Sequence, residues 1–457
     1  MSRWLTLAIT KTAARLSRLF GRGGGHALPG LIAERLDPHL AHKLAKGLTG
    51  GVILVTGTNG KTTTTKLIAA ILEAHGERVL TNSTGSNLKR GVTSALISAS
   101  DLRGRFEHTV GLFEVDEASL RLVTPEVQPT QIVVLNLFRD QLDRYGELDT
   151  TAALIGEGIA ATTARLYLNA DDPLVASLGK YAARPDLVSY FGVDDLPSDS
   201  AADRQTAPDS DRCPVCHTRL TFSRTFYGHI GHYRCPTGDF ERPEPAVEVT
   251  RVDSADVTGS RFTVTIDGAP DDFSFPLPGT YNLYNALGAI SLAHGLGIDH
   301  DTVARSLGSS VAAFGRVEEL ELEGRRLYLL LIKNPVGLSQ VLETFVTTQD
   351  APRLLFAISD LDADGRDVSW LWDVPLEGLL PKNALVLTTG IRASDMSLRL
   401  HYAGIPSELV ETYEDAIERL VRATPEGGTA FILPTYTSML TIRRILANKA
   451  DMQEVWK

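Results

Sequence analysis

A glycine-rich turn between a short apolar run and a helical pattern constrains the fold of this chain more than any other feature. The apolar run covers residues 51–56, and it leads into VTGTNGKTTTT at residues 55–65. Such a turn brings backbone N–H groups and a helix N-terminus together, an arrangement that suits a polyphosphate. Lys61 can neutralise the β- and γ-phosphates, and the Thr62 hydroxyl can reach Mg²⁺. The strict P-loop pattern has glycine where this chain has Val55, so GTNGKT is a shorter variant of it. The predicted nucleotide-binding residues of this turn are Gly57, Thr58, Asn59, Gly60, Lys61, Thr62 and Thr63.

Short apolar runs alternate with helical patterns along most of the chain. The runs rich in Val, Ile and Leu occupy residues 78–81, 110–115, 131–136, 326–332, 354–358, 384–388 and 430–433. Strands that alternate with helices predict parallel α/β sheets. We therefore predict an N-terminal basic helical segment at residues 1–48, a central P-loop α/β domain at residues 49–318 and a C-terminal Rossmann-like α/β domain at residues 319–457. A polar stretch and a cysteine-bearing segment predict an insertion at residues 195–245.

Charge and cysteine content exclude several classes of protein. The 457 residues include 45 basic and 56 acidic side chains, a net charge of −11, which argues against nucleic acid as a partner. No apolar run approaches the roughly 18 residues that a membrane span needs. Three cysteines cannot form a disulfide framework, so we expect a reducing, cytoplasmic location.

The N-terminus predicts a basic amphipathic helix. Its first 22 residues carry five basic side chains and no acidic one, with apolar residues at helical spacing. One interpretation is a helix that packs on the main body of the protein. The other is a light, peripheral contact with an anionic membrane surface, at the inner face of the plasma membrane.

The insertion carries a possible zinc site. Cys213 and Cys216 form a CxxC pair, and Cys235 follows. A zinc ribbon needs a second CxxC pair, but this chain has Gly238 where the fourth cysteine would be. The candidates for a fourth ligand are His217, His229, His232 and Asp239. The alternative is a metal-free ribbon that is held together by the packing of Tyr227, Tyr233 and Phe240.

GTNGKT resembles the ATP-binding signature of the Mur ligase family, and further segments in the same order strengthen the resemblance. They are NLFRDQLDRYGELD at residues 136–149, NADDP at residues 169–173, PGTYNLYNALGA at residues 278–289 and FGRVEE at residues 314–319. The resemblance implies a Mur-ligase-like central domain that binds ATP and Mg²⁺.

The resemblance also implies roles for single residues. Glu114, at the end of GLFEV, matches the Mg²⁺-binding glutamate of the family, and Glu117 is a weaker candidate. Asn282 would face the adenine, unless it only caps the following helix. Arg316 would contact a phosphate. Gln141 stands where amino-acid-adding Mur ligases often have histidine, so a second-metal role there is in doubt.

The C-terminal half is similar to the MurT family, the synthetase subunits of lipid II isoglutaminyl synthases. The matching segments are LIKNPVG at residues 331–337, DADGRDVSWLWDV at residues 362–374, GIRASDMSLRLHYAGI at residues 390–405 and LPTYTSML at residues 433–440. This resemblance implies amidation of the D-glutamate α-carboxyl of the lipid II stem peptide to D-isoglutamine. It also implies a heterodimer with a glutaminase subunit that supplies ammonia.

In that family the synthetase subunit contributes an acidic residue to the Cys–His pair of the glutaminase. We expect Asp367 to be this residue, ahead of Asp364 and Asp373, although Asp367 could instead cap a helix. Trp370 and Trp372 belong either to the core or to an interface. Lys333 and Asn334 would face the cleft between the domains.

The chemistry can be argued without the resemblance. A carboxylate is a poor electrophile, and transfer of the ATP γ-phosphoryl group converts it into an acyl phosphate that ammonia can attack. Lys61, Thr62 and Arg316 would stabilise the phosphates. Releasing ammonia from glutamine takes an activated cysteine, but all three cysteines lie in the ribbon segment, so we expect a partner to supply ammonia. The alternatives are an amino-acid-adding Mur or folylpolyglutamate-type ligase and a non-catalytic nucleotide-binding scaffold.

Overall fold

The computed structural model describes residues 3–19, 28–82, 86–139, 148–196, 210–256, 258–310, 317–347 and 349–449. Gln141 and Arg316 lie outside these residues, so the roles expected of them stay predictions. In the described part of the chain, no helix has the length and apolar character needed to cross a membrane.

The central domain is built on a large mixed sheet. The strands of this domain are β1 (Val52–Thr56), β2 (Val79–Thr81), β3 (Val110–Glu114), β4 (Gln131–Val134), β5 (Arg165–Asn169), β6 (Val188–Val193), β7 (Thr221–Tyr227), β8 (Ile230–Arg234), β9 (Val247–Asp256), β10 (Gly259–Ile266) and β11 (Ala269–Phe275). Among the described residues, nine of them form one sheet in the order β11-β10-β9-β6-β5-β4-β1-β3-β2, and β7 pairs with β8 in a separate hairpin. The pairs from β2 to β9 are parallel, whereas β10 pairs antiparallel with β9 and β11.

Helices cover both faces of this sheet, so β1 is buried along its whole length, as expected for a central parallel strand. Its side chains alternate, with Ile53 and Val55 in one apolar core and Val52 and Leu54 in the other. Helices Lys61–Ala74, Thr280–Gly295 and His300–Gly308 pack on the first face. The second face carries helices Leu28–Leu36, Leu40–Ala45, Lys89–Ala99, Leu120–Val127, Leu148–Ala160 and Pro173–Ser177.

The predicted N-terminal helix spans Arg3–Leu19. Leu7 is fully buried in the second core of the central domain, so one side of the helix packs on the main body. Trp4, Leu5 and Ile9 are exposed on another side. The interpretation of a helix packed on the main body is therefore confirmed for one side of this helix, and the membrane contact stays a prediction.

The C-terminal domain has its own sheet. Its strands are β12 (Val317–Leu322), β13 (Arg325–Leu330), β14 (Arg353–Ala357), β15 (Leu385–Thr389), β16 (Glu408–Leu409) and β17 (Thr429–Pro434). Within the described ranges the order is β12-β13-β17-β14-β15-β16, and only β12 with β13 is antiparallel. Because β12 begins at Val317, this sheet starts two residues before the predicted boundary. Helices Pro335–Val341, Leu376–Leu379, Ala393–Tyr402, Tyr413–Ala423 and Tyr436–Lys449 surround it.

Two consecutive buried aspartates connect the cysteine-bearing insertion to the central sheet. Asp171 accepts hydrogen bonds from Arg242 Nε at 2.6 Å and from the Tyr284 hydroxyl at 2.6 Å. Burial raises the pKa of Asp171, and the charge of Arg242 opposes this shift. Asp172 accepts from the Leu137 backbone N–H at 2.8 Å. The NADDP motif therefore joins the insertion, the sheet and helix Thr280–Gly295.

Candidate active site

The P-loop follows β1 at the carboxyl edge of the central parallel sheet, where open α/β sheets bind ligands. Gly57 and Gly60 have φ values of 132° and 89°, a region that favours glycine. A Cβ atom on Gly60 would lie 1.9 Å from Asn285 Oδ1. The loop can therefore pack against helix Thr280–Gly295 only because residue 60 has no side chain. Helix Lys61–Ala74 begins directly after this contact.

Glu114 lies beside the first turn of that helix. Thr62 Oγ1 donates to Glu114 Oε2 at 2.8 Å. Asn82 holds the Glu114 backbone through two hydrogen bonds, from its Nδ2 to the carbonyl at 2.8 Å and from the Glu114 N–H to its Oδ1 at 3.1 Å. A hydroxyl and a carboxylate side by side are oxygen ligands of the kind Mg²⁺ takes. The residues present fit this ion, although Asn82 was not anticipated from the sequence.

Glu117 lies beside the other half of the P-loop. Its Oε2 is 3.2 Å from Lys61 Nζ, and both side chains are largely buried. Burial opposes ionisation of Glu117, but the charges of Lys61 and Lys333 outweigh it and hold the pKa of this carboxyl below its usual value. The sequence favours Glu114 over Glu117 as the Mg²⁺ ligand. The structure places both carboxylates against the P-loop: Glu117 forms an ion pair with Lys61, and Glu114 accepts a hydrogen bond from Thr62.

The C-terminal domain contacts the P-loop directly. Lys333 Nζ donates to the Thr58 carbonyl at 3.3 Å, and Asn334 Nδ2 donates to Asn59 Oδ1 at 3.1 Å. Asn334 Oδ1 also accepts from the Gly337 backbone N–H at 2.8 Å, which caps helix Pro335–Val341. The two lysines that face Glu117 therefore come from different domains.

A pocket opens beside the P-loop, between the domains. It encloses about 760 Å³ including its open mouth, within the size range of small-molecule sites. The pocket is lined by Asn59, Gly60, Thr63, Asn136, Tyr227, Leu277, Tyr281, Asn282, Asn285, Val317, Leu331, Val336, Gly337, Gln340 and Val341. The residues from the C-terminal domain and from the β7–β8 hairpin were not anticipated. The sequence signal that could have linked some of them is helical spacing, since Val336 and Gln340 and likewise Gly337 and Val341 are four residues apart on one helix.

Asn282 lines this pocket, but its amide is also part of the pocket wall. Helix Thr280–Gly295 begins after Gly279, and Asn282 Nδ2 donates back to the Pro278 carbonyl at 2.7 Å. Asn282 Oδ1 accepts from Asn285 Nδ2 at 3.0 Å. A contact between Asn282 and adenine stays a prediction.

The three aspartates of the DADGRDVSWLWD segment have different surroundings. Asp364 is buried and accepts hydrogen bonds from the backbone N–H and the hydroxyl of Thr437. Asp373 Oδ2 lies 3.9 Å from Arg139 Nη1. Asp367 is half-buried, and its Oδ1 accepts from the Ser369 N–H at 2.8 Å at the start of a 3₁₀ turn. The N-cap residue of this turn is Val368, so the bond from Ser369 to Asp367 is a local contact just before the turn, and it uses one of the two carboxylate oxygens.

The two tryptophans of that segment differ in how far they are buried. Trp370 packs against an apolar core of the C-terminal domain. Trp372 is 47% exposed and lies edge-on to Tyr402, which is 70% exposed. The exposed ring of Trp372 therefore lies on the 3₁₀ turn that directly follows Asp367.

The three cysteines converge although they come from two separate segments. The sulfur atoms of Cys213, Cys216 and Cys235 all lie within 4.8 Å of one another. A hydrogen bond with the Thr237 hydroxyl lowers the pKa of the Cys235 thiol to about 7. Thiols so close to one another fit the thiolate set of a structural zinc ion.

Three of the candidate fourth ligands differ in whether their side chains contact the cysteine cluster or other parts of the protein. His229 Nε2 lies 3.4 Å from Asp172 Oδ2, and His232 Nε2 lies 2.7 Å from the Val193 carbonyl, so both rings are engaged away from the thiols. Asp239 accepts from Thr237 Oγ1 at 2.6 Å. Hydrogen bonds with Thr237 and Cys216 lower the pKa of Asp239, which places this carboxylate next to the cluster.

The ribbon aromatics have two kinds of contact. Tyr233 stacks on Phe240 within the ribbon, with ring centroids 5.7 Å apart. Tyr227 instead packs on Phe138 and Tyr284 of the central domain. Only the Tyr233–Phe240 pair matches the packing expected inside a metal-free ribbon.

Comparisons with known proteins identify the family. A model of the Mur ligase middle domain matches residues 55–231, and a model of the MurT ligase C-terminal region matches residues 331–439. A Streptococcus pneumoniae protein, lipid II isoglutaminyl synthase (glutamine-hydrolyzing) subunit MurT, is 33% identical over 95% of this chain and 94% of its own length. The chain belongs to the MurT family. A MurT subunit from Staphylococcus aureus strain COL is 31% identical over 96% of both chains.

Solved structures of other proteins have the same fold as this chain. A pseudomurein peptide ligase type C from Methanothermus fervidus superposes with a TM-score of 0.70 at 22% identity, over 89% of this chain and 80% of the other. MurF from Acinetobacter baumannii superposes with a TM-score of 0.67 at 17% identity, over 92% and 81%. The expected Mur-ligase-like α/β fold and the expectation of a ligase are thus confirmed for this MurT family member.

Proposed function

We propose that this chain is the synthetase subunit of a lipid II isoglutaminyl synthase and amidates the D-glutamate α-carboxyl of the stem peptide with ATP. The observation that carries the proposal is the P-loop itself, in which Lys61 forms an ion pair with Glu117 and Thr62 donates a hydrogen bond to Glu114. The names of the MurT relatives support the acceptor and the nitrogen source.

In the proposed reaction, a carboxylate oxygen of the substrate attacks the γ-phosphorus of ATP, and the bond from that phosphorus to the β-bridging oxygen breaks. Ammonia then attacks the acyl carbon, phosphate leaves, and the nitrogen loses a proton to give the amide. Lys61 and Lys333 would offset the charge on the transferred group, which is how proteins assist phosphoryl transfer. Thr62 and Glu114 would hold Mg²⁺, which neutralises phosphate charge when bound.

Replacing Lys61 by alanine is expected to lower ATP-dependent amidation by at least about 100-fold, because one buried cation of the site is lost. Amidation is measured by mass spectrometry of the muropeptide, with ADP release followed in parallel. Lys66→Ala, an exposed lysine of the same helix, is the matched control and should keep full activity. Full amidation by the Lys61→Ala variant would refute the assignment. ADP release driven by an amino acid but not by ammonia would indicate an amino-acid-adding ligase, and no ADP release by wild type would indicate a scaffold.

The ammonia is proposed to come from a glutaminase subunit that docks beside Asp367. The three cysteines of the sequence lie in the ribbon, so the thiolate that attacks glutamine belongs to another chain. Asp364 is committed to Thr437, whereas Asp367 keeps one oxygen beyond its bond to Ser369. The exposed Trp372 and Tyr402 nearby are of the types enriched at interfaces.

Asp367→Asn is expected to suppress amidation from glutamine while sparing amidation from ammonium salt. The reason is that the neutral amide cannot stabilise the imidazolium of a partner histidine. Both nitrogen sources are compared in the complex of this chain with its co-purified glutaminase. Asp362→Asn, an exposed aspartate paired with Arg366, serves as control. Equal loss with both nitrogen sources would contradict the role of Asp367.

The ribbon is proposed to hold one structural zinc ion on Cys213, Cys216 and Cys235. Asp239 is proposed as the fourth ligand, because its carboxylate lies next to the cluster, whereas His229 lies against Asp172 and His232 against the Val193 carbonyl. The proposed ion is structural and has no open position for catalysis.

Elemental analysis of the purified chain should find about one zinc per molecule, and Cys216→Ser should lose most of it because thiolates supply the binding energy. His232→Ala, in the same ribbon, should retain zinc. Metal-free wild-type protein with an unchanged melting temperature would favour the ribbon held by packing alone.

The N-terminal helix is proposed to contact the membrane that carries the lipid-linked substrate. Its exposed Trp4, Leu5 and Ile9 lie in a segment with five basic residues and no acidic one. Apolar insertion combined with positive charge is how such helices bind anionic lipid.

The full chain should co-sediment with phosphatidylglycerol vesicles several-fold better than with phosphatidylcholine vesicles, and the double change Trp4→Ala, Ile9→Ala should remove most of this binding. Leu88→Ala, an exposed leucine elsewhere, is the control. Equal sedimentation of wild type and double variant would overturn the membrane contact.

A further inference from the structure

Most amide side chains that line the pocket are already used by the protein. Asn136 exchanges hydrogen bonds with the Asn59 backbone, at 2.8 Å through its Oδ1 and at 3.1 Å through its Nδ2. Asn59 Oδ1 accepts from Asn334, and Asn282 and Asn285 bond to each other. The oxygen of each of these amides already accepts a hydrogen bond within the protein, which distinguishes them from one further amide side chain of the pocket.

Gln340 is that side chain. It is 5% exposed and lines the pocket from helix Pro335–Val341. Its Nε2 donates to Glu343 Oε2 at 2.7 Å. An ionised carboxylate only accepts hydrogen bonds, so this contact fixes which end of the amide is nitrogen. Among the described residues, none donates a hydrogen bond to Gln340 Oε1.

The rest of the pocket suits a flat, apolar ring. Leu277 and Tyr281 line it from the central domain, and Leu331 and Val336 line it from the C-terminal domain. The P-loop residues Asn59 and Gly60 form one end of the same pocket. A nucleotide whose phosphates lie on the P-loop would thus place its base among these side chains.

We propose that Gln340 Oε1 selects an amino-bearing purine over a purine with a carbonyl group at the same position. This inference rests on the proposed function, in which a nucleoside triphosphate binds here. Glu343 is a positioning residue, because it holds the Gln340 amide in the orientation that presents an acceptor. A 6-amino group can donate to that acceptor, whereas a 6-oxo group would face it oxygen to oxygen and leave a buried acceptor unsatisfied.

The test compares the affinities of ATP and inosine triphosphate for the full chain by titration calorimetry with Mg²⁺. Inosine triphosphate carries an oxygen in place of the 6-amino group and is otherwise nearly the same molecule. Wild type should prefer ATP by at least about tenfold, the usual consequence of one unsatisfied buried group. A ratio of two affinities in one preparation does not depend on the fraction of folded protein.

Three variants separate recognition from general damage. Gln340→Met, which keeps the length but removes the acceptor, should weaken ATP binding about tenfold and bring the ratio near one. Glu343→Gln should lower the ratio of ATP affinity to inosine triphosphate affinity with a smaller loss of ATP affinity. The reason is that the Gln340 amide can then rotate and present its nitrogen instead of its oxygen. Ser339→Ala is the matched control, since Ser339 is a buried neighbour that does not line the pocket, and it should keep both affinities.

The outcomes distinguish this inference from the proposal it rests on. Equal binding of the two nucleotides by wild type, or an unchanged preference in Gln340→Met, would overturn the role of Gln340 and leave the ATP-dependent ligase intact. Binding of neither nucleotide by wild type would overturn both.

Discussion

The contact between the P-loop and helix Thr280–Gly295 is the constraint on which the rest of the site depends. Gly60 lies so close to Asn285 that a single added carbon would collide with it, and Asn285 is itself held by Asn282. This packing fixes the direction in which helix Lys61–Ala74 starts. Lys61 and Thr62 then reach Glu117 and Glu114, which come from separate segments of the chain. The positions of the charged side chains in the site are thus set by a steric contact within the P-loop region itself.

The C-terminal domain takes part in the site through both ends of one helix. Asn334 caps helix Pro335–Val341 and also reaches the P-loop, while Gln340 lies at the other end of that helix, in the pocket. A shift of this domain would move both contacts together. If a nucleotide binds as proposed, its binding and the position of this domain would be coupled, as in enzymes whose sites are completed by domain closure.

The cysteine ribbon also contacts the central sheet and contributes to the pocket wall. Asp171 and Asp172 fix it to the central sheet, and Tyr227 at the end of β7 extends it into the pocket wall. Gly238 has a φ of +81°, a conformation that would strain a cysteine. The loop at the missing cysteine is thus shaped for glycine, and the polar neighbours of the cluster are Thr237 and Asp239.

The amino-acid sequence by itself determined the P-loop, the two α/β units and the cysteine-bearing insertion. These features depend on residues close together in the chain, where glycine, apolar spacing and short motifs act locally. The tertiary structure alone decided that Glu117 pairs with Lys61, that His229 turns to Asp172 and that Gln340 enters the pocket. Lys61 and Glu117 are 56 positions apart, and the pocket joins residues from both domains. Such pairs are set by which strands lie side by side and by how the domains dock, and no local pattern in the sequence encodes that.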